Sequence, residues 1–329
     1  MSQPLRIGIL GAAGIAPTAL ITPAAGNPDV EVAAIAARDI TRAREFAEEH
    51  GIATVHTTYA DAVTDDSLDA IYVPLPNSHH QHWAIETLRA GKHLLLEKPF
   101  TNNTQEAIQV AEVAGESGKV CMEAFHNRYH PIVEMVIDLL PRLGRLERVE
   151  SAFNINLPQS DNIRYLFATG GGATMDLGCY PVHLLRSVLG SEPTVVSATH
   201  RPAPDPRVDE ALTAELVFGD VAATVTSSLL EEVTEQSAIF TGSDGTLRVD
   251  GFVHPQNGNL LVLETAAGRE EFTAPTSPTS YEAQLAAFVA AIRHGGPILT
   301  GPEDSVATMR VLDAMYLAAG LPLRGTVGA

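Results

Sequence analysis

Residues 7–20 read IGILGAAGIAPTAL. An apolar run from Ile7 to Leu10 meets a cluster of glycines, Gly8, Gly11 and Gly14. Pro17 follows, a residue that suits the first turn of a helix. Strand, tight glycine turn and helix form the unit from which parallel sheets are built. The stretches that follow decide whether this unit repeats.

The unit repeats. Apolar runs predict strands over Arg6–Leu10, Val30–Ala37, Thr54–His56, Asp69–Pro74, His93–Glu97 and Val120–Ala124. Helical patterns lie between them, as in Arg42–His50 and His82–Ala90. The strands are continuous apolar runs, as expected when helices cover both faces of a parallel sheet. After Thr104, a capping residue, Ala107, Val110, Ala111 and Ala114 mark one face of a further helix.

The texture changes after residue 145. Thr174–Leu189 reads as one long helix, opened by what reads as a flexible run, Gly170-Gly171-Gly172. Strands are predicted over Glu147–Leu157, Val195–Arg201, Leu212–Phe218, Ala222–Leu230, Ser237–Thr241, Thr246–Val249 and Leu260–Glu264. Short Gly/Asp turns separate several of them, which points to a mostly antiparallel sheet. Pro202–Pro206 reads as a surface loop, and helices around Tyr281–Arg293 and Glu303–Ala319 close the chain. The expected fold is α/β: an N-terminal doubly wound Rossmann sheet over 1–124, and a C-terminal α/β domain with a large open sheet over 125–329.

The 329 residues carry a net charge of −19, which argues against binding to nucleic acid or to anionic membranes. No apolar run approaches the roughly 20 residues of a membrane span, and the N-terminus lacks signal-peptide regions. The expectation is a cytoplasmic protein. Cys121 and Cys179 lie in apolar segments and read as buried free thiols.

The turn after the first strand places a helix N-terminus where a dinucleotide pyrophosphate binds. Against G-x-G-x-x-G/A, Gly11 stands first, Ala13 second and Ala16 third. Gly11, Ala12 and Ala13 form the expected phosphate loop. The second strand ends in AIAARD. An NAD-binding fold usually carries an acid at that tip; Arg38 suits a 2′-phosphate instead, so NADP is favoured over NAD.

Two further elements carry chemistry. The stretch VPLPNSHHQHW leaves the fourth strand at its carboxyl end, where open α/β sheets bind ligands. Asn77, His79, His80 and His82 lack an acidic or cysteine partner at ligand-like spacing, so no metal is expected; the loop, from Pro74, reads as lining a nicotinamide. Glu97 and Lys98 end the fifth strand at the same edge, with Pro99 restricting the exit. Only three lysines occur in the chain: Lys92, Lys98 and Lys119. On the helix in GGGATMDLGCYPVH, Asp176, Tyr180 and His183 share one face. A phenol serves as general acid or base when a nearby cation lowers its pKa of about 10.

RIGILGAAGIAP, AIAARD, VPLPNSHH, GKHLLLEKPF, MEAFHNRYHP and GGGATMDLGCYPVH, in this order, resemble the glucose–fructose oxidoreductase/inositol dehydrogenase/MocA family. Within it, the chain is most similar to the branch of dihydrodiol dehydrogenases, D-xylose dehydrogenases and sugar-ketone reductases. The resemblance implies an NADP-dependent oxidoreductase for a sugar or diol. It implies catalytic roles for Lys98 and Tyr180 and a cis Lys98–Pro99 peptide. Asp176 would orient the sugar, with Arg164 and His183 also on the substrate side. Asn77, His80 and Glu97 would line the nicotinamide, and Arg38 would receive the 2′-phosphate. The family's C-terminal sheet often builds an oligomer, so a homodimer or homotetramer is expected. Two alternatives stay open: a 3-ketoreductase of nucleotide-linked sugars, and a non-catalytic NADP-sensing regulator, which the presence of both Lys98 and Tyr180 disfavours.

Overall fold

The computed structural model describes residues 3–157 and 162–325. Their contacts divide them into two compact units. The first takes the described residues of Met1–Thr101, Gln105–Phe125 and Tyr281–Val306. The second takes those of Asn102–Thr104, His126–Ser280 and Ala307–Ala329.

The first unit is built on β1 (Leu5–Leu10), β2 (Val30–Ala36), β3 (Thr54–His56), β4 (Ala70–Val73), β5 (His93–Leu96) and β6 (Cys121–Glu123). All six run parallel in the order β3-β2-β1-β4-β5-β6. This is the doubly wound order with its switch point between β1 and β4. The crossovers are α1 (Thr22–Ala25), α2 (Ile40–His50), α3 (Tyr59–Val63), α4 (His80–Arg89) and α5 (Thr104–Ser117). Ile7, Ile9, Ile71, Tyr72, Leu94 and Leu96 are wholly buried, which explains why the strands read as unbroken apolar runs.

The second unit begins with α6 (Pro131–Leu139), which the sequence reading did not predict, and α7 (Cys179–Leu189). Its sheet comprises β7 (Leu146–Asn156), β8 (Thr194–Pro202), β9 (Asp209–Phe218), β10 (Val221–Ser228), β11 (Leu230–Gly242), β12 (Gly245–Asp250), β13 (Leu260–Thr265) and β14 (Gly268–Phe272). The order is β14-β13-β12-β11-β7-β10-β9-β8, antiparallel except for the parallel pair β7–β10. β11 starts earlier than its apolar residues predict, because Leu230 and Glu235 pair with β7. β14 was not predicted at all. It is an edge strand, GREEF, and almost every residue in it faces water.

Two helices close the chain, α8 (Ser280–His294) and α9 (Pro302–Ala318). α8 returns to the first unit, where Arg293 bonds the Asp29 carboxylate at 3.0 Å and the Gln3 carbonyl at 2.7 Å.

The glycine run at 170–172 is not flexible. A Cβ on Gly171 would stand 2.5 Å from the Arg164 carbonyl oxygen. Gly172 has φ +138°, and a Cβ there would collide with the Asp209 carboxylate. Asp209 and Arg324 are wholly buried and pair at 2.7 Å. Asp209 also accepts from the Thr174 N–H at 2.8 Å and from the Tyr316 hydroxyl at 3.0 Å. Arg324 donates to the Gly171 carbonyl at 2.6 Å. This hub anchors the start of the helical segment that carries Asp176 and Tyr180. Among the described residues no helix is long and apolar enough to cross a membrane. Cys121 and Cys179 are buried thiols that form no disulfide.

Candidate active site

In the first unit, the switch point gathers the residues expected to hold a dinucleotide. Gly11 has φ +104° and donates its N–H to the Ala36 carbonyl at 2.7 Å. A Cβ on Gly11 would stand 2.9 Å from Leu75 and 4.0 Å from the Pro74 carbonyl, so the turn after β1 lies against the end of β4. At Gly14 a Cβ would meet nothing within 4 Å. The following helix opens with a wide π-type turn over Pro17–Ile21, and no side chain caps it. Pro17 carries no N–H, and the N–H groups of Ala16 and Ala19 bond the carbonyls of Ala13 and Ile15 at 3.1 and 2.9 Å. Wide turns of this kind recur at functional sites. A cradle at Gly11 that a Cβ would fill and open space at Gly14 both fit a dinucleotide.

Arg38 is exposed at the tip of β2. The neighbouring Asp39 carboxylate caps α2, accepting from the N–H groups of Thr41 at 2.9 Å and Arg42 at 3.3 Å. Its charge is engaged by the helix start. The sequence reading missed Arg42, whose guanidinium donates to the Ala12 carbonyl at 2.8 Å and ties the phosphate loop to α2. Its signal was the spacing of four from Arg38 on a helix beginning at the strand tip.

At the ends of β4 and β5, Pro74 is buried and Asn77 opens a short 3₁₀ turn, Asn77–His79. His80 is wholly buried, with Nδ1 2.9 Å from the Pro99 carbonyl oxygen and Nε2 2.8 Å from that of Leu75. The imidazole thus lies between the loop after β4 and the turn after β5, and in the neutral ring one nitrogen donates to its carbonyl. Glu97 accepts from the Tyr72 hydroxyl at 2.7 Å and from the Lys98 N–H at 3.3 Å. The Lys98–Pro99 peptide is cis. Of the other lysines, Lys92 is buried and donates to the carbonyls of Asp65 and Leu68.

Burial pushes the His80 imidazole from 6.5 down to about 4, over the opposing pull of the two carbonyls. The folded-state pKa lies below the unfolded one, so between these values the unfolded chain binds the extra proton. Stability is therefore complete above about 6.5 and lost as pH falls towards 4, by roughly 3 kcal/mol at most. In urea titrations, the wild-type midpoint should drop more steeply from pH 7 to 4.5 than that of His80→Gln. Parallel pH dependences would contradict the assignment.

In the second unit, the sequence-predicted substrate residues converge on α7 and the turn before it. That turn, Thr174–Gly178, is also of the wide π type, so Asp176 does not keep the regular i, i+4 register with Tyr180 that one continuous α-helix would give. Asp176 forms an ion pair with Arg164. The pair raises the Arg164 pKa, chiefly through the Asp176 carboxylate, and Tyr180 adds to the effect. Tyr180 is 5% exposed and His183 1%. The Tyr180 ring packs edge-on against Phe153, with centroids 5.6 Å apart. Its hydroxyl lies 3.3 Å from His126 Nε2. Beyond it, His126 Nδ1 lies 2.8 Å from Ser280 Oγ, and Ser280 Oγ bonds Gln256 Oε1 at 2.9 Å. His126, like Arg42, was not singled out from the sequence. Among the described residues no group of three or more His, Cys, Asp or Glu side chains is placed to hold a metal ion.

Residues 5–125 match the oxidoreductase family with an NAD-binding Rossmann fold, Gfo/Idh/MocA, and residues 141–248 match the Gfo/Idh/MocA C-terminal domain. The chain belongs to the Gfo/Idh/MocA oxidoreductase family. Within this family it is 36% identical to a D-xylose 1-dehydrogenase (NADP⁺) of Haloferax volcanii, over 96% of this chain and 97% of the relative. It is 29% identical to a trans-1,2-dihydrobenzene-1,2-diol dehydrogenase of Xenopus tropicalis, over 67% of each chain. The crystal structure of a 3-ketoreductase from Actinomadura kijaniata, in complex with NADP and TDP-benzene, superposes with a TM-score of 0.87 at 31% identity. That match covers 96% of this chain and 98% of that one.

Proposed function

We propose that this Gfo/Idh/MocA oxidoreductase uses NADP to interconvert a hydroxyl and a carbonyl on a free sugar, with trans-diols as secondary substrates. The observation that carries the reading is Tyr180, a buried phenol set beside the Arg164–Asp176 ion pair. Bound NADP supplies the hydride chemistry. Gly11, Ala12 and Ala13 cradle its pyrophosphate, Arg38 takes its 2′-phosphate, and Pro74, Asn77 and Glu97 border the nicotinamide. Tyr180 moves the proton at the reacting oxygen, and the Lys98 ammonium supplies the positive charge that favours the phenolate. Asp176, Arg164 and His183 orient the sugar. The open face of the eight-stranded sheet joins copies of the chain into a dimer or tetramer.

Reduction of a nucleotide-linked ketosugar is the second reading, supported by the likeness to the 3-ketoreductase.

The test is a panel of D-xylose, other free aldoses, trans-diols and TDP-linked sugars, followed by NADPH absorbance. A free aldose should give the highest kcat/KM. Turnover confined to TDP-sugars would transfer the assignment to the second reading, and no turnover with any of them would remove both.

Arg38 carries the choice of cofactor. Losing a charge-assisted phosphate contact costs about 1.5–3 kcal/mol, or roughly 10- to 100-fold in affinity. Arg38→Ser should weaken NADP binding by that factor and leave NAD binding nearly unchanged, as read by fluorescence titration. Equal losses for both cofactors would place Arg38 outside the 2′-phosphate site.

A further inference from the structure

The environment of His126 determines its tautomer. The imidazole is 2% exposed, Ser280 0%, and both belong to the second unit, as do Tyr180 and Gln256. The Gln256 side-chain oxygen fixes the tautomer. It accepts from the Ser280 backbone N–H at 3.4 Å, which identifies that atom as oxygen rather than the amide nitrogen. The Ser280 hydroxyl, 2.9 Å from the same oxygen, must then donate to it. A hydroxyl has one proton, so Ser280 Oγ can only accept from His126 Nδ1, at 2.8 Å. Nδ1 therefore carries a proton, which in the neutral ring leaves Nε2 as an acceptor. Across 3.3 Å, the Tyr180 hydroxyl donates to it.

We propose that His126 is a positioning residue for Tyr180, held in the Nδ1–H tautomer by Ser280 and Gln256. Accepting the phenolic O–H at Nε2 holds the Tyr180 oxygen in place in the resting enzyme. In reduction that proton leaves for the substrate oxygen and the phenolate that the Lys98 ammonium stabilises remains; oxidation reverses the transfer. Phe153 holds the other side of the Tyr180 ring, and His254 stacks beyond His126 at 5.4 Å, its Nδ1 occupied by Gln236 at 3.0 Å. The Tyr180 and His254 rings and the Ser280 hydroxyl thus lie against the His126 ring. The inference deepens the reading of Tyr180 as acid/base and rests on it.

Two measurements test it on the full-length NADP-bound protein. The first is ¹⁵N–¹H correlation of the histidine side chains, with Ser280→Ala as reference. It should show His126 as the Nδ1–H tautomer in the wild type and lose that signature in Ser280→Ala. An Nε2–H ring or an imidazolium in the wild type at pH 7.5 would overturn the proposal whatever the enzyme's substrate. The second is steady-state kinetics. Misorienting a reacting group costs up to about 100-fold. His126→Phe should lower kcat roughly 10- to 100-fold, leaving KM for the sugar nearly unchanged, and His126→Gln, which restores an acceptor, should recover most of it. Ser280→Ala should lower kcat in the same direction without altering any group that faces Tyr180. Wild-type kcat in His126→Phe, or equal losses in the Phe and Gln variants, would overturn it. If His126→Phe does not fold, wild-type kcat in Ser280→Ala has the same force. Failure of the substrate panel would defeat the enzymatic reading and leave the tautomer result standing, so the two failures are distinguishable.

Discussion

Lys98→Ala and Tyr180→Phe each lower kcat by about 10²–10⁴-fold, the range for loss of general acid–base assistance, while NADP binding stays nearly intact. The expectation follows from how each side chain is held. Lys98 leaves β5 beside Glu97, whose carboxylate is engaged by Tyr72 and by the Lys98 N–H. The wholly buried His80 ring packs between that turn and the loop after β4. Neither substitution alters the phosphate loop, so binding and turnover separate. Lys98→Arg should not restore activity, because a planar guanidinium does not replace a compact ammonium. If the two residues act on one proton, the double variant should be little worse than either single one. Multiplicative losses would show that they act independently. Measurement of kcat and of the NADP dissociation constant for the four proteins decides the matter.

The largest effect on stability is expected at Asp209. Removing one partner of a buried ion pair costs about 3–5 kcal/mol, because the other charge stays buried. Asp209→Ala leaves Arg324, wholly buried, with only carbonyl acceptors, and strips the Thr174 N–H and the Tyr316 hydroxyl of their acceptor. We expect a fall of roughly 10 °C in Tm by calorimetry. Activity should fall further than stability requires at 25 °C, since Asp209 anchors the turn that presents Asp176 and Tyr180. A Tm within about 2 °C of wild type would show that the hub does not hold this unit.

The first unit was legible because its strands are buried on both faces, and unbroken apolar runs such as HLLL and AIYV mark them plainly. The glycine turn and Arg38 were legible because their chemistry is local. What stayed hidden depends on contacts remote in sequence. GREEF alternates charges and becomes a strand through pairing with β13. Gly170–Gly172 reads as slack chain, but Asp209 and Arg324, far along the sequence, close around it. α8 has an apolar face, yet nothing in its periodicity says that it belongs with the first unit. His126 is separated from Ser280 by 154 positions, so its tautomer could only be read from the folded chain.

The most direct test of the account is reduction of NADP⁺ by D-xylose and a set of free aldoses, with wild-type protein and the Lys98→Ala/Tyr180→Phe double variant side by side. The account predicts NADPH formation with at least one free aldose in the wild type, and a rate about 10²-fold or more lower in the double variant. NADPH formation at equal rates in the two proteins would contradict it.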